Sequence, residues 1–363
     1  MVSPVLQRVR TLAPVVASSA VVTTLVTCVI LAKARDVYTG GLKWPYFSDM
    51  GRDSPGYYVF CVGLTITAIA LVCTWNFNLQ FQRAILEKPI AFQLAILEKP
   101  IAVGQLGKSV LVFAKIHACL GMISVIGLPV LAFFSTASYS SLHNSAAYWF
   151  FFLETFAVCS NLFDSSYLIR RCDQTVVSYK IYKRERTARE TTVFMGDNPT
   201  TLNGELDDKA RRYDNVRRTF LIQATAFALF FIAFLLYLPI GLAVVKSAPR
   251  LTIQECLERK LGEKYCKDTM RKDATLTKLW NYEGDFSANQ MRSAAQLGCI
   301  LTLVGYSISF LSHDYASVVD APKHPEYEAA VPQTYVTLGS PHRDGFAGSR
   351  PTDRMPMLST PEE

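Results

Sequence analysis

Two carboxylates and one amide recur at helical spacing within an otherwise uncharged part of the chain. Glu154, Asn161 and Asp164 fall on one face of a single helix, which would direct them towards neighbouring helices. A carboxylate within reach of a histidine can move protons, so His143 or His117 could act with Glu154 or Asp164 as acid and base. The same face could line a polar cavity for a lipid headgroup, or it could bond one helix to the next.

No hydrolase or metalloenzyme signature accompanies these residues, because the sequence contains no HExxH, GxSxG or Cys-X-X-Cys pattern. Interhelical hydrogen bonding is therefore the favoured interpretation, a lipid cavity is the second, and no catalytic residue, metal or cofactor is predicted. Lys115 is expected to pair with Asp164, with His117 nearby, since an ion at membrane depth needs a partner. Snorkelling of Lys115 to the membrane surface is the alternative.

The elements that must position these residues are helices that cross a membrane. A bilayer core of about 30 Å requires about 20 apolar residues in a helix. Five stretches are long enough and contain no Lys, Arg, Asp or Glu, namely residues 11–32, 54–82, 116–153, 219–245 and 293–313. The third stretch is long enough for most of two crossings and contains a polar turn at 135–144.

We therefore predict an all-α fold, a six-helix transmembrane bundle within residues 1–312. The predicted spans lie near residues 13–32, 57–79, 110–134, 145–169, 220–245 and 293–312. A five-span alternative treats the first stretch as a cleaved signal sequence, because it follows Arg8 and Arg10.

The distribution of Lys and Arg orients the predicted bundle. With the N-terminus in the cytoplasm, the cytoplasmic segments hold 22 of these residues and the opposite segments hold 14, as the positive-inside rule requires. Both termini are therefore predicted to be cytoplasmic. Residues 313–363 are rich in Pro, Ser, Thr and Gly, so they form a predicted disordered tail. Within it, Tyr335 and Leu338 have the spacing of a tyrosine-based sorting signal for a clathrin adaptor.

The net charge of +7 does not indicate a nucleic-acid partner. The largest basic cluster lies in residues 170–218, where 12 Lys and Arg are mixed with 8 Asp and Glu. A basic segment next to a membrane span is attracted to anionic lipids. The predicted partners are therefore membrane lipids.

Two cysteines lie together in the loop between the last two predicted spans. Cys256 and Cys266 face the exocytoplasmic side in the predicted topology and are candidates for a disulfide. Thr252 and Glu255 have the spacing of a capping box that would begin a helix. Ten residues of one straight helix separate Cα atoms by about 15 Å, too far for a disulfide. A bridge therefore requires the helix to end at Gly262, and the sequence leaves it open whether one forms.

The first exocytoplasmic segment reads WPYFSDMGRDSPGYYVF, residues 44–60, and its aromatic residues suit a membrane interface. Its Pro-Tyr-x-Ser-Asp-x-Gly pattern, followed by Pro55 and aromatic residues, resembles the first luminal loop of the Frag/DRAM/Sfk family of six-span proteins. His143 and Ala147 are similar to the His-x-x-x-Ala pattern with which that family begins its fourth span. The resemblance implies that Asp49 and Arg52 could contact a lipid headgroup, with capping of their own turn as the alternative.

Members of that family include autophagy modulators of lysosomes, a Golgi factor for lipid remodelling of GPI anchors and a regulator of phosphoinositides. The resemblance implies a non-enzymatic endomembrane protein that acts in lipid homeostasis or in autophagy and endolysosomal traffic. The expected compartment is the lysosome, the endosome or the Golgi, with the plasma membrane as a further option. We expect lipid contacts from Asp49, Arg52, His143, Glu154 and Asn161. A lipid-modifying enzyme or factor in GPI-anchor remodelling is the alternative.

Overall fold

The computed structural model describes residues 4–87, 104–190, 199–245, 248–313 and 315. The predicted tail beyond residue 315 and its Tyr335 signal lie outside the described residues. The helices, in chain order, are α1 Pro4–Ala34, α2 Phe47–Met50, α3 Gly56–Glu87, α4 Gly104–Ser124, α5 Gly127–Phe133, α6 Ser140–Glu190, α7 Pro199–Tyr237, α8 Pro239–Val244, α9 Ile253–Glu258 and α10 Phe286–Ser309. Strands β1 Arg250–Thr252 and β2 Leu276–Trp280 flank α9, a π-helical turn covers Tyr265–Thr269, and a 3₁₀ turn covers Phe310–Ser312.

Six helical stretches are long and apolar enough to cross a membrane, which confirms the predicted number and order of spans. They are Val5–Ala34, Gly56–Ala84, Ser109–Phe133, Ser140–Tyr167, Arg217–Val244 and Phe286–Ser312, called spans one to six below. Large apolar side chains such as Phe163, which is 71% exposed, cover their outer surfaces. Such surfaces are stable where lipid tails cover them.

Proline interrupts two of the spans. Pro129 follows the break between α4 and α5, and Pro239 follows the break between α7 and α8. Proline has no backbone N–H and clashes with the carbonyl four residues earlier, so a helix that meets it bends or restarts. The break in span three lets Gly127 lie against span four, where a Cβ atom would be 2.7 Å from the carbonyl oxygen of Ala146.

The bundle core is built from aromatic rings and small residues. Trp75 on span two, Phe150 and Phe151 on span four and Phe230 on span five are almost fully buried. Span one packs along span two, span three along span four and span five along span six. Consecutive spans are therefore neighbours, as is usual for elements that follow one another along the chain.

A small disulfide-bonded cap covers one end of the bundle. Strands β1 and β2 pair antiparallel, with Arg250 opposite Trp280, and they are the only strands in the described part of the chain. Their inward side chains, Leu251 and Leu279, are fully buried. The all-α prediction is thus confirmed for the bundle, to which the cap adds a little sheet. We call the end that carries residues 35–55, 134–139 and 248–285 the capped end.

The candidate disulfide, which the sequence left open, is formed between Cys256 and Cys266, with Cα atoms 5.9 Å apart. The predicted capping box is also confirmed, since Thr252 and Glu255 exchange both hydrogen bonds. The helix ends at Glu258, one turn before the predicted Gly262. Lys260 and Gly262 adopt positive φ angles of 57° and 102° and reverse the chain, so the two cysteines meet.

Candidate functional site

The first loop forms a short helix, α2, that lies against the entrance to the bundle. Its backbone is held by span six, because Gln296 Oε1 accepts a hydrogen bond of 3.0 Å from the Phe47 N–H. Gly51 closes the turn at a point where a Cβ atom would lie 2.6 Å from the Phe60 ring. The close approach explains physically why the sequence has glycine there.

Arg52 is part of a closed clamp between the first loop and the cap. Its guanidinium donates to both Asp53 carboxylate oxygens at 3.0 and 3.2 Å, to the Tyr38 carbonyl and to the Tyr265 hydroxyl. Tyr265 in turn donates to Asp53 at 2.7 Å. Burial alone lowers the pKa of Arg52, but the Asp53 charge outweighs it and raises that pKa above its ordinary value.

Arg52 is therefore not placed as a lipid contact, contrary to the prediction from the family resemblance. Its side chain is 2% exposed, and it does not line either of the chambers described below. The sequence could not show this because Tyr265, which completes the clamp, lies 213 residues further along the chain.

Asp49 lies three residues before Arg52 and has different partners. It is 2% exposed, and one carboxylate oxygen accepts a hydrogen bond of 2.7 Å from Tyr282. Gly40, at a φ of 73°, leaves room for the Tyr282 ring, which a Cβ atom would overlap. Burial raises the pKa of Asp49 above its ordinary value, although the Arg52 charge and the Tyr282 hydrogen bond oppose the shift.

Asp49 borders a polar chamber of about 120 Å³ at the capped end, which has room for several waters or a small polar group. Aromatic, amide and hydroxyl side chains line it, together with one basic residue, Arg292. Arg292 donates to the Tyr237 carbonyl at 3.1 Å and to the Tyr148 hydroxyl at 3.0 Å. Its guanidinium carbon lies 5.9 Å from the Tyr46 ring centre, within the range of a cation–π contact.

His143 lines the same chamber from span four. Its Nδ1 lies 2.7 Å from the Leu131 carbonyl oxygen and 3.0 Å from that of Phe134. Two carbonyl acceptors at one ring nitrogen require that nitrogen to carry the proton. The neutral ring then presents Nε2 as an acceptor, and the break in span three supplies the carbonyls that orient it.

A second, apolar chamber of about 80 Å³ lies next to the polar one, deeper in the bundle. Its walls are leucines and phenylalanines of spans two, three, four and six, such as Leu64, Leu131, Phe150 and Leu303. The residues that line both chambers are Ser48, His143, Ala147 and Gln296. The site is thus a polar compartment next to an apolar one, with a shared wall at the level of the first loop.

The predicted polar face of span four is confirmed to lie inside the bundle, since Glu154, Asn161 and Asp164 are at most 7% exposed. Glu154 lines the apolar chamber, where it accepts hydrogen bonds from Trp75 at 3.3 Å and Ser124 at 2.5 Å.

Asn161 lines neither chamber. Its oxygen accepts from Asn78 at 2.8 Å and from Gln82 at 2.7 Å, and its nitrogen donates to Tyr306 at 2.5 Å. The three partners come from spans two and six. The favoured interpretation, interhelical hydrogen bonding, therefore describes Asn161, whereas the lipid-cavity interpretation fits Glu154 better.

The predicted contact between Lys115 and Asp164 is wrong. His117 takes that place, with Nδ1 2.9 Å from Oδ2 of Asp164, and Lys115 is exposed on the outside of the helix. Lys115 and His117 are two positions apart and so point about 200° apart around the helix, which means that they cannot both face span four. The close atoms are poorly aligned for a hydrogen bond, and both His117 nitrogens have no hydrogen-bond partner among the described residues.

Of the histidine–carboxylate pairs considered as acid and base, His117 and Asp164 come into contact, with Nδ1 2.9 Å from Oδ2. His143 and Glu154 are eleven residues apart on one helix, about 16 Å along its axis. His117 and Asp164 are in contact but line neither chamber. Within the described ranges, no group of three or more His, Cys, Asp and Glu side chains could hold a metal ion.

Sequence reasoning missed Arg292, Tyr282 and Trp280, which complete the polar chamber. Arg292 had one usable signal, because it is the last charged residue before the uncharged stretch of span six. By itself, a cation at that boundary is also typical of ordinary topology charge. Tyr282 and Trp280 lie in the cap, whose position over the first loop follows from tertiary packing alone.

A bundle of six apolar spans with two adjacent internal chambers defines a polytopic integral membrane protein. Residues 9–248 match the Frag1/DRAM/Sfk1/Cwh43P N-terminal domain, about two thirds of the chain, and the protein belongs to this family. No curated protein and no solved structure matches the chain. Asp49 and His143 lie inside the matched range, while Tyr282 and Arg292 lie beyond it.

Proposed function

We propose that this protein binds a membrane lipid from the capped end, with the headgroup in the polar chamber and an acyl chain in the apolar one. The proposal rests on one observation, which is that the two chambers share a wall. We call this wall the junction, and its residues line both chambers: Ser48, His143, Ala147 and Gln296. A lipid is the common ligand whose polar and apolar parts are adjacent in the same way.

The location supports the proposal. The chambers begin at the level of α2, where the first loop meets the ends of spans two and four, and the apolar chamber reaches Glu154 inside span four. In the topology predicted from charge, this end faces the exocytoplasmic side. A lipid could therefore enter from the outer or luminal leaflet, with little change in the depth of its headgroup.

The proposed cellular role is membrane-lipid homeostasis or autophagy and endolysosomal traffic within endomembranes. Family membership supports this role, together with a site suited to holding a lipid. In this role the protein senses or retains a lipid and does not change it chemically. The Tyr335 signal would recruit a clathrin adaptor, and loss of the proposed compartment on substitution of Tyr335 would test that step separately.

Photocrosslinking with a lipid that carries a diazirine in its acyl chain tests the binding mode. The purified full-length protein is equilibrated with the probe, irradiated and digested, and the labelled residues are identified by mass spectrometry. We expect labels on walls of the apolar chamber, such as Leu131, Phe150 and Leu303. Labels confined to outward residues such as Phe163 would contradict the proposal.

A pair of tryptophan substitutions supplies the matched control. Ala147→Trp places a large ring at the junction, so it should abolish labelling inside the bundle. Ser145→Trp adds the same ring two residues away on the same helix, at an exposed position, and should leave labelling unchanged. Both variants are compared at equal folded fraction, judged by thermal unfolding.

A second candidate function, lipid modification as in GPI-anchor remodelling, is favoured by one observation. Ser48 and His143 both line the junction, so a hydroxyl and an accepting imidazole nitrogen share the place where a lipid ester would lie. In such a reaction Ser48 Oγ would attack the ester carbonyl and His143 Nε2 would carry its proton to the leaving alcohol. Water would then release the fatty acid.

The two candidates differ in what cells accumulate. Ser48→Ala and His143→Gln should each leave an unmodified lipid precursor if the protein is an enzyme, and they should not if it only binds lipid. A fluorophosphonate probe that labels wild type but not Ser48→Ala would also favour the enzyme. Absence of both signals supports the binding protein.

A further inference from the structure

The polar chamber contains two opposite charges that do not pair with each other. Asp49 and Arg292 both line it, yet no ion pair joins them in the described part of the chain. They are connected through two tyrosine rings instead. Arg292 lies over Tyr46, the Tyr46 and Tyr282 ring centres are 5.5 Å apart, and the Tyr282 hydroxyl bonds to Asp49.

Each charge keeps hydrogen-bonding capacity for a ligand. Arg292 Nε and Nη2 are fixed by the Tyr237 carbonyl and the Tyr148 hydroxyl, and the guanidinium also lies within reach of the Tyr46 hydroxyl. A guanidinium carries five N–H donors, so these contacts leave at least two of them for a ligand. The second carboxylate oxygen of Asp49 accepts no hydrogen bond from the described residues. A guanidinium held by two hydrogen bonds is well oriented for a phosphate oxygen.

The surroundings of Asp49 suit a cation. Tyr46, Trp280 and Tyr282 line the chamber beside it, and aromatic faces next to a carboxylate are how proteins bind amines and quaternary ammonium groups. Arg250 already covers one face of Trp280, with its guanidinium carbon 3.5 Å from the ring centre. The cation is therefore expected between the two tyrosines and the free side of Trp280.

We infer that the polar chamber holds a zwitterionic phospholipid headgroup, with its phosphate on Arg292 and its amine or trimethylammonium on Asp49 among the tyrosines. The inference rests on the proposed lipid-binding function and specifies the class of lipid. An anionic lipid would bring a second negative charge beside Asp49 and no cation to its open carboxylate oxygen, and a neutral diacylglycerol would bring no anion to Arg292.

A ligand series with identical short chains tests the headgroup on the unchanged protein. Purified full-length protein in detergent is titrated with dihexanoyl phosphatidylethanolamine, dihexanoyl phosphatidylcholine, dihexanoyl phosphatidic acid and dihexanoylglycerol, and binding is followed by calorimetry. We expect either zwitterionic lipid to bind at least about tenfold more tightly than the other two, roughly the contribution of one charge-assisted contact. Equal or tighter binding of phosphatidic acid or dihexanoylglycerol would overturn the inference.

Two substitutions separate the two ends of the headgroup. Asp49→Asn should weaken the zwitterionic lipids about tenfold while leaving phosphatidic acid unchanged or tighter. Arg292→Gln should weaken every phospholipid and leave dihexanoylglycerol unchanged. Arg271→Gln, at an exposed position in the cap region, is the matched arginine control and should have no effect. If Asp49→Asn weakens all four ligands equally, the amine is not at Asp49.

Free phosphocholine distinguishes failure of this inference from failure of the proposed function. If phosphocholine binds as tightly as the lipid, the apolar chamber contributes nothing, so lipid binding is wrong while the headgroup assignment stands. If all four lipids bind with equal affinity, lipid binding stands and the headgroup assignment is wrong. Failure of every ligand to bind overturns both.

Discussion

The polar chamber at the capped end and the Asn161 network inside the bundle use the same kinds of residue in different ways. In the network, both side-chain polar atoms of Asn161 are bonded to spans two and six, and all of its partners are buried. In the chamber, Asp49 and Arg292 are each fixed on one side and open on the other.

This difference separates groups that hold the fold from groups that can hold a ligand. A polar group with all its partners inside the protein stabilises one arrangement of helices. A polar group that is held in place but has an unused donor or acceptor can still form a hydrogen bond with a ligand. The Arg52 clamp belongs with the network, although it lies close to the chamber, because its partners all come from the protein.

The largest loss of stability is expected from Arg52→Met. If this substitution altered lipid affinity without lowering stability, Arg52 would belong with the ligand-binding groups. Removing this guanidinium leaves Asp53 and Tyr265 mostly buried without their cation, and removing one partner of a buried ion pair costs about 3 to 5 kcal/mol. The free energy of unfolding in detergent should fall by at least about 3 kcal/mol. Because the Arg52 charge also acts on Asp49, lipid affinity per folded molecule should change, but by less than it does in Asp49→Asn.

Arg259→Met is the matched control for that substitution. Arg259 pairs with Glu283 at 2.6 Å, but the two side chains are 27% and 60% exposed. Exposed ion pairs contribute about 0 to 1 kcal/mol. If Arg259→Met lowered the free energy of unfolding as much as Arg52→Met does, the loss would come from disturbing the cap and not from removing a buried charge.

Asn161→Ala should produce the next largest effect. It removes three hydrogen bonds between spans, and such bonds in membranes contribute about 0.6 kcal/mol each on average, so a loss of about 2 kcal/mol is expected. Thermal unfolding measures the loss, and Asn144→Ala, at an exposed position bordering the chamber, should leave stability unchanged. Weaker lipid binding by folded Asn161→Ala protein would place the network in the site.

Much of this architecture follows from local features of the sequence. The six spans, the face shared by Glu154 and Asn161 and the capping box at Thr252 depend on periodicity or composition within one segment. Each of them is present in the structure. The chamber depends on contacts such as Asp49 with Tyr282, 233 residues apart, and no local pattern specifies which distant segment will cover a loop.

The Lys115 error has the same origin on a smaller scale. The ends of the predicted spans indicate how deep each side chain lies along its helix. They do not indicate which way the side chain points around the helix axis. Two positions separate Lys115 from His117, and this rotation of about 200° decides which of them faces Asp164. Sequence reasoning therefore found the right depth and the wrong side chain.

The pH dependence of stability tests the buried carboxylate of the chamber. Because burial raises the pKa of Asp49, the folded protein binds that proton more tightly than the unfolded chain does. The resulting stabilisation is complete below the ordinary pKa of 3.8 and is lost as the pH rises through the raised pKa. The melting temperature of wild type relative to Asp49→Asn should therefore increase as the pH is lowered from about 7 to about 4.

Asp273→Asn provides a control of opposite sign. Backbone hydrogen bonds from Thr275 and Leu276 lower the pKa of Asp273, so its stabilisation is present at neutral pH and is lost as the pH falls. As the pH falls from about 7 to about 4, the melting temperature of wild type should therefore decrease relative to that of Asp273→Asn. Over the same range it should increase relative to that of Asp49→Asn. The same trend for both variants would contradict the assignment of the shift to burial of Asp49.

The smallest loss of stability is expected from Lys115→Gln. This substitution tests whether Lys115 or His117 is the neighbour of Asp164. Lys115 is exposed and contacts no carboxylate among the described residues, and substitutions at such positions change stability by less than about 0.5 kcal/mol. His117→Leu, by contrast, leaves Asp164 buried without its neighbour and should destabilise the protein by at least about 1 kcal/mol. Thermal unfolding of the two variants side by side measures this. The reverse order of effects would restore Lys115 as the partner of Asp164.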